Sequence, residues 1–267
     1  MTQQPKVSII SACYNAEGTL QDTIDSIVAQ DYPNIEYIVM DGVSKDGTLE
    51  ILKANQDKIQ VLVSEPDEGF YNAINKGISL ATGEIIALLN SDDLYVSSQV
   101  VSKMVACLQE KAVDSVFADV VYVDQADTAK LLRYYSSKGN WNVNRFQWGL
   151  MPAHPTFFTY KKTYETFGLF REDLKIAADF DILLRFLGIH QISRAYLPEP
   201  IIKMRVGGLS SSGLSSKIQI SQEIALVLKS HQISVSWAKL WGRYAFKILQ
   251  FLPNLWSKSS LVENNPK

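Results

Sequence analysis

Across the first ninety residues the hydrophobic positions alternate between two periods. Val7-Ser8-Ile9-Ile10-Ser11-Ala12-Cys13 is a short β-rich run. Ile35 to Met40 is a second, apolar and β-branched, and it ends at Asp41-Gly42. Between them, Glu17 to Ala29 repeats at helical spacing, with Leu20, Ile24, Ile27 and Val28 on one side. The alternation continues with a helix over Asp46–Gln56, a strand over Ile59–Val63 and a helix over Gly69–Ala81 closed by Gly83 as its C-cap. A fourth strand covers Glu84–Leu89. This repeated β-α-β order predicts a parallel sheet with helices on both faces. Such sheets bind ligands at the carboxyl ends of their strands. There the chain places Tyr14-Asn15, Asp41-Gly42, Glu65-Pro66-Asp67 and Asn90-Ser91-Asp92-Asp93, with acidic groups after three successive strands.

The second half is less regular. Val116–Val123 reads as a strand, Asn140–Gly149 as a loop or short helix, Thr156–Thr159 as a strand and Tyr160–Phe167 as a helix ending at Gly168. Asp179–Leu187 reads as a helix with Ile182, Leu183, Phe186 and Leu187 inward. Tyr196–Val206 is extended but interrupted by two prolines. Beyond Leu214 the chain is helical. In "WAKLWGRYAFKILQFL", residues 237 to 252, one stripe carries Trp237, Leu240, Trp241, Tyr244, Ile248 and Leu249. Lys239, Arg243, Lys247 and Gln250 fall away from it. An aromatic-rich face opposite a basic one suggests a helix lying on anionic lipid. The alternative is packing on the catalytic domain or on a dimer partner.

Composition narrows the function classes. The net charge of −2 over 267 residues speaks against a nucleic-acid binder. Cys13 and Cys107 are far apart with no metal-ligand spacing, which fits a reduced, cytoplasmic protein. No basic-then-apolar leader and no apolar run of about 18 residues is present, so neither a signal peptide nor a membrane span is expected. Three histidines without close spacing argue against structural zinc. "GGLSSSGLSS", residues 207 to 216, reads as a mobile loop or a boundary. The chemistry concentrates at Asp92-Asp93. Adjacent carboxylates repel unless a cation joins them. The competing reading is a turn or a cap for a helix beginning near Ser97.

Five segments in order, "KVSIISACYN", "YIVMDGVSKDGT", "SEPDEGFYNAINKGISLATGEIIALLNSDD", "HPTFF" and "AADFDILLRF", resemble the family 2 glycosyltransferases that build bacterial surface polysaccharides. "RVGGLSS" extends the match to Ser211. The resemblance implies a GT-A fold: an α/β, Rossmann-like, mostly parallel sheet flanked by helices. Residues 1–212 would form the catalytic domain, with a nucleotide-sugar half over about 1–95 and an acceptor half over about 96–212. Residues 213–256 would be a helical extension touching membrane or a second copy, and 257–267 a disordered tail.

The resemblance also implies inverting transfer from a nucleotide-sugar, usually a UDP-sugar, to a saccharide or lipid-linked saccharide, with Mn²⁺ or Mg²⁺ on the diphosphate. Asp93 would ligate the metal, and Asp92 the ribose or a metal-bound water. Asp41 would accept from uracil N3, where a carboxylate suits an N–H donor. The family commonly has a second Asp where Gly42 stands. Ala12, Tyr14 and Asn15 would lie along the base and nucleoside, and Asp67 near the nucleotide or sugar, unless it forms a Pro-Asp turn. Asn72 and Lys76 would face the donor, Lys76 toward phosphate. Asp179 would be the general base, with Ala178 standing where a first acid often precedes it. An N-cap role for Asp179 is the rival reading, and Asp181 would pair with Arg185 or Arg171. His154 and Trp148 would lie near the acceptor or diphosphate. Arg205 would reach a phosphate from a loop that folds over the donor. A sugar-nucleotide pyrophosphorylase would need a basic Gly-rich loop where "SACYNAEGT" stands. An inactive membrane scaffold is the non-enzymatic alternative. These expectations place the protein in the cytoplasm, peripheral on the inner membrane.

Overall fold

In the computed structural model, which describes residues 4–207 and 213–249, four strands form the parallel half of a mixed sheet. They are β1 (Val7–Cys13), β2 (Ile35–Asp41), β3 (Val61–Ser64) and β4 (Ile85–Leu88), side by side in the order 3-2-1-4. The winding reverses at β1. The crevice of such a sheet therefore opens between the carboxyl ends of β1 and β4, between Tyr14-Asn15 and Asn90–Asp93.

Both faces of the sheet are buried, so these strands read as near-continuous apolar runs. Val7 and Ile9 join one core with Leu20, Ile24 and Ile27 of α1 (Leu20–Val28) and Leu52 of α2 (Thr48–Ala54). Ile10 and Ala12 join the other with Ala73, Ile74 and Ile78 of α3 (Phe70–Leu80). At Gly77 a Cβ would stand 2.5 Å from Ile10 Cγ2, so α3 reaches β1 only because that position has no side chain. Gly83 has a similar role rather than the expected C-cap role. The helix ends at Leu80, and a Cβ at 83 would meet the backbone of Ser8 at 2.7 Å.

The second half adds β5 (Leu94–Tyr95), α4 (Val100–Glu110), β6 (Ser115–Val123), β7 (Leu131–Tyr135), α5 (Val143–Phe146), β8 (Phe158–Tyr160), α6 (Lys161–Phe167), α7 (Ala178–Leu183) and β9 (Arg194–Arg205). The sheet continues β4-β8-β6-β9-β5 and is mixed here: β8 is antiparallel to β4 and β6, whereas β6 and β9 are parallel. The half-buried β7, antiparallel to β6, is not among the strands expected from the sequence. β9 runs straight through Pro198 and Pro200. Its register against β6 shifts around Asp119, and that bulge accommodates the missing N–H groups. α7 continues into a π-helical run over Leu184–Ile189.

The C-terminal helices are α8 (Gly213–Ser230) and α9 (Trp237–Leu249). Ile224, Ala225, Val227 and Leu228 of α8 share the core that contains α7. The stripe expected on α9 is divided. Leu240 is buried, while Trp237 and Trp241 remain 48% and 44% exposed. Arg243, expected on an outward basic face, is instead buried, and it donates to Ser221 Oγ (2.9 Å) and the Tyr244 hydroxyl (3.0 Å). The side chains of Lys247, Ile248, Leu249 and Gln250 lie outside the described residues, as do most of the "GGLSSSGLSS" stretch and the tail. Among the described residues no helix is long and apolar enough to cross a membrane.

Candidate active site

Asp92 and Asp93 close a turn just past β4, in which Asp93 N donates to Asn90 O at 3.0 Å. They do not cap a helix. The chain enters β5 directly, and α4 begins at Val100 with Gln99 at its cap. Asp93 is 1% exposed. Its Oδ2 accepts from Asn90 Nδ2 at 3.0 Å. Its Oδ1, among the described residues, is the only carboxylate oxygen buried with no partner. Burial raises Asp92 above the ordinary carboxylate range; burial and the Asp92 charge raise Asp93 well above it, against the pull of Asn90 and Arg205. An unpaired acceptor beside a second carboxylate suits a cation. Among the described residues no group of three or more His, Cys, Asp or Glu gathers. A cation here would take one or two protein carboxylates and complete its shell with diphosphate and water, which is the habit of Mg²⁺.

Arg205 sits beside this turn, but not as a free phosphate hook. It is buried and donates to Asp92 O (2.9 Å), Gln125 O (3.3 Å) and the Asp22 carboxylate of α1. The guanidinium thus ties the acidic turn to α1. Of the loop expected after it, residues 208–211 lie outside the described set.

Asp41 also differs from the expectation. Its carboxylate is buried at the end of β2, and both oxygens are engaged by its own loop. Oδ1 accepts from Ser44 Oγ (2.5 Å), and Oδ2 from Ser64 Oγ (2.6 Å) and Val43 N (3.1 Å). Asp41 therefore organises the loop, including Val43 at φ 61°, a strained position for a β-branched residue. The outward carboxylate is that of Asp67. An ideal Cβ at Gly42 would lie 2.7 Å from Asp67 Oδ2 and 3.4 Å from the Tyr14 ring. Asp67 Oδ2 occupies the space that a side chain at 42 would enter, so such a side chain would have to displace it. Tyr14 is 58% exposed above it, and Asn15 Oδ1 accepts from Lys45 N at 2.8 Å. Ala12 lies beneath, buried in the core.

The remaining donor-side expectations separate from this group. Lys76 is held by Glu65 at 2.6 Å. Asn72 donates to Glu172 at 3.0 Å. With Asn75 and Leu169, Lys76 and Glu172 line a groove of about 530 Å³ along α3. Trp148 packs against α9, where a Cβ at Gly242 would lie 3.2 Å from its ring.

Asp179 and His154 meet. His154 Nδ1 is 3.0 Å from Asp179 Oδ2, while Asp179 Oδ1 accepts from Phe180 N at 2.8 Å. Asp179 lies inside the first turn of α7, with Ala177 at the cap position, so it is not the N-cap. Burial raises its carboxyl above the ordinary range, with His154 pulling the other way and Glu223 adding to the rise. A nearly buried carboxylate beside an imidazole is a suitable proton acceptor. Asp181, two residues on, is fully buried and faces elsewhere, receiving Arg185 Nε at 2.8 Å and His231 Nε2 at 2.9 Å, with Arg171 at 3.9 Å. Tyr71, which donates to Ile176 O at 2.7 Å, and Glu223 belong to this neighbourhood, yet no local motif marked either one.

The sequence profile described as glycosyl transferase family 2 matches residues 8–168. An uncharacterized glycosyltransferase of Rickettsia typhi is 32% identical over 214 residues, covering 77% of this chain and 65% of its own length, so the chain spans about two thirds of that relative. Staphylococcus aureus TarS in complex with UDP-GlcNAc superposes with a TM-score of 0.65 at 20% identity, over 84% of this chain and 66% of that one. The mannosyltransferase PcManGT of Pyrobaculum calidifontis, in complex with GDP-Man and Mn²⁺, gives 0.63 at 22% identity, over 92% and 70%. At these identities the two structures establish the shared GT-A architecture. With the profile spanning more than half of the sequence, the chain belongs to glycosyl transferase family 2.

Proposed function

We propose that the protein is an inverting, metal-dependent glycosyltransferase that moves a sugar from a UDP-sugar to a hydroxyl of a saccharide or lipid-linked saccharide. Its pathway would be the assembly of a bacterial surface polysaccharide. The observation that carries this reading is Asp93 Oδ1, buried without a partner at the crevice between β1 and β4. Asp93 and Asp92 would hold Mn²⁺ or Mg²⁺, which neutralises charge on the departing diphosphate. The base would lie over Tyr14, with Asp67 Oδ2 as an acceptor for a base N–H. The Mn²⁺ named for one neighbour and the nucleotide-sugars named for both, UDP-GlcNAc and GDP-Man, support a nucleotide-sugar donor.

In the reaction, Asp179 takes the proton of the acceptor hydroxyl. That oxygen bonds to the anomeric carbon from the side opposite the diphosphate, which leaves with the electron pair of the broken C–O bond. One displacement inverts the configuration. His154 orients Asp179 through the 3.0 Å contact between its Nδ1 and Asp179 Oδ2. The test is UDP release from UDP-glucose, UDP-galactose and UDP-N-acetylglucosamine with and without Mn²⁺, using water or an added saccharide as acceptor. Mn²⁺-dependent release from at least one donor is expected; no release from any of them on folded protein contradicts the reading.

The outward pair Trp237 and Trp241 would rest on anionic lipid at the cytoplasmic face of the inner membrane, with Leu240 fixing α9 to the body. Trp237→Ala/Trp241→Ala should reduce partitioning to phosphatidylglycerol vesicles about tenfold or more, read by sedimentation. Unchanged partitioning would leave α9 as a packing helix only.

A further inference from the structure

The helix that carries the base does not cap itself. α7 starts Ala177-Ala178, with no side-chain cap of its own, although its first N–H groups need acceptors. The acceptor comes from 46 residues further along the chain. Glu223 Oε2, on α8, accepts from Ile176 N and Ala177 N, both at 2.9 Å, while Gln219 steadies Oε1 at 3.1 Å. The carbonyl of Ile176 is held at 2.7 Å by the Tyr71 hydroxyl of α3. The segment entering α7 is thus gripped by its N–H groups from the C-terminal extension and by its carbonyl from the donor half.

A second contact lies on the far side of the base. Asp181, 0% exposed, receives His231 at 2.9 Å, just past the end of α8. Contacts from α8 and the turn after it therefore bracket Asp179 at 176–177 and at 181. The base itself must meet His154, which sits on a different segment, so a small shift of α7 would break the 3.0 Å pair.

We propose that Glu223 is a positioning residue for the general base: its carboxylate caps α7 from the C-terminal extension and holds Asp179 against His154, which makes α8 part of the catalytic apparatus. This rests on Asp179 being the base. The groups facing Asp179 are His154, Tyr71 on α3 and Glu223 on α8. Of these, Glu223 adds negative charge and raises the Asp179 carboxyl while His154 lowers it, so removing the Glu223 charge moves Asp179 downward, in the direction His154 already pulls.

The experiment uses the full chain with Glu223→Ala, Glu223→Gln and Asp179→Asn. Each is assayed for Mn²⁺-dependent UDP binding by calorimetry, and for UDP release from the donor that the wild type turns over. Glu223→Ala should lower kcat about tenfold or more, because small misplacements of a catalytic group are costly, with donor KM and UDP binding unchanged. Glu223→Gln, which can still accept both N–H groups, should recover most of kcat, with the acidic limb of its pH profile moved to lower pH. Hydrogen exchange supplies a readout independent of turnover: the amides of Ile176 and Ala177 should exchange about tenfold faster in the Ala variant. If the Ala variant does not fold, the limb shift in the Gln variant decides. Wild-type kcat, pH profile and amide protection in the Glu223 variants would overturn the proposal, as would an equal loss of UDP binding and turnover. An active Asp179→Asn would instead overturn the assignment of the base, whatever Glu223 does.

Discussion

Asp179→Asn lowers kcat by about 10²- to 10⁴-fold, the usual worth of a positioned general base, and leaves Mn²⁺-dependent UDP binding unchanged. The carboxyl's hydrogen-bonding partners are His154 Nδ1 and Phe180 N, neither of them in the donor half. Asparagine keeps the shape and an acceptor oxygen but cannot take a proton. The pH dependence follows from burial. Because burial holds the Asp179 carboxyl above its ordinary 3.8, the ionised base is lost on acidification at a higher pH than for an exposed aspartate. The acidic limb of kcat therefore lies above the normal carboxylate range. His154→Ala removes the group that opposes this rise, so its limb moves higher still. Stopped or continuous UDP-release assays across pH on the three proteins check both directions. A wild-type limb at the ordinary carboxylate value would mean that Asp179 is not the titrating base.

The second large effect lies at Asp93. Asp93→Asn should weaken Mn²⁺-dependent UDP binding by about 100-fold or more, beyond the 10- to 100-fold typical of losing a group that only supports a metal ligand. The same substitution should melt no lower than wild type without metal, because it removes a buried charge. The sign follows from linkage. The folded carboxyl is raised well above the unfolded 3.8, so the folded state holds a proton that the unfolded state has released. Metal-free stability therefore falls as pH climbs from about the unfolded value through the raised one. Mn²⁺ should then raise the melting temperature of wild type at neutral pH and leave Asp93→Asn unmoved. Equal metal-induced shifts in both proteins would remove Asp93 from the metal.

The donor half was legible because it rests on local signals. Buried parallel strands make continuous apolar runs such as Ile35–Met40, and acidic residues placed after them must gather at one edge. Asp92-Asp93 could be singled out on that basis and by resemblance, Asp179 by resemblance alone. Side-chain commitment was not legible. Arg205 and Lys76 look like phosphate binders in sequence, yet the fold gives them Asp22 and Glu65. Asp41 looks like a free acceptor, yet Ser44 and Ser64 occupy it. The sequence showed Gly42 as a departure from the family. The structure shows Asp67 in the vacated space. Pairings such as His154–Asp179 and Glu223–Ala177 join residues 25 and 46 positions apart, and no periodicity reports contacts of that kind. The burial of Arg243 on α9 was not legible for a related reason: a helical stripe shows which residues share a face but not where the helix meets the protein.

The most direct measurement is a calorimetric titration of UDP, GDP, CDP and TDP into wild type and Asp92→Ala/Asp93→Ala, each with and without Mn²⁺. UDP binding in wild type should require Mn²⁺, exceed that of the other nucleotides, and disappear in the double variant. UDP binding of equal strength in the folded double variant, or no binding of any nucleotide to wild type, would contradict it.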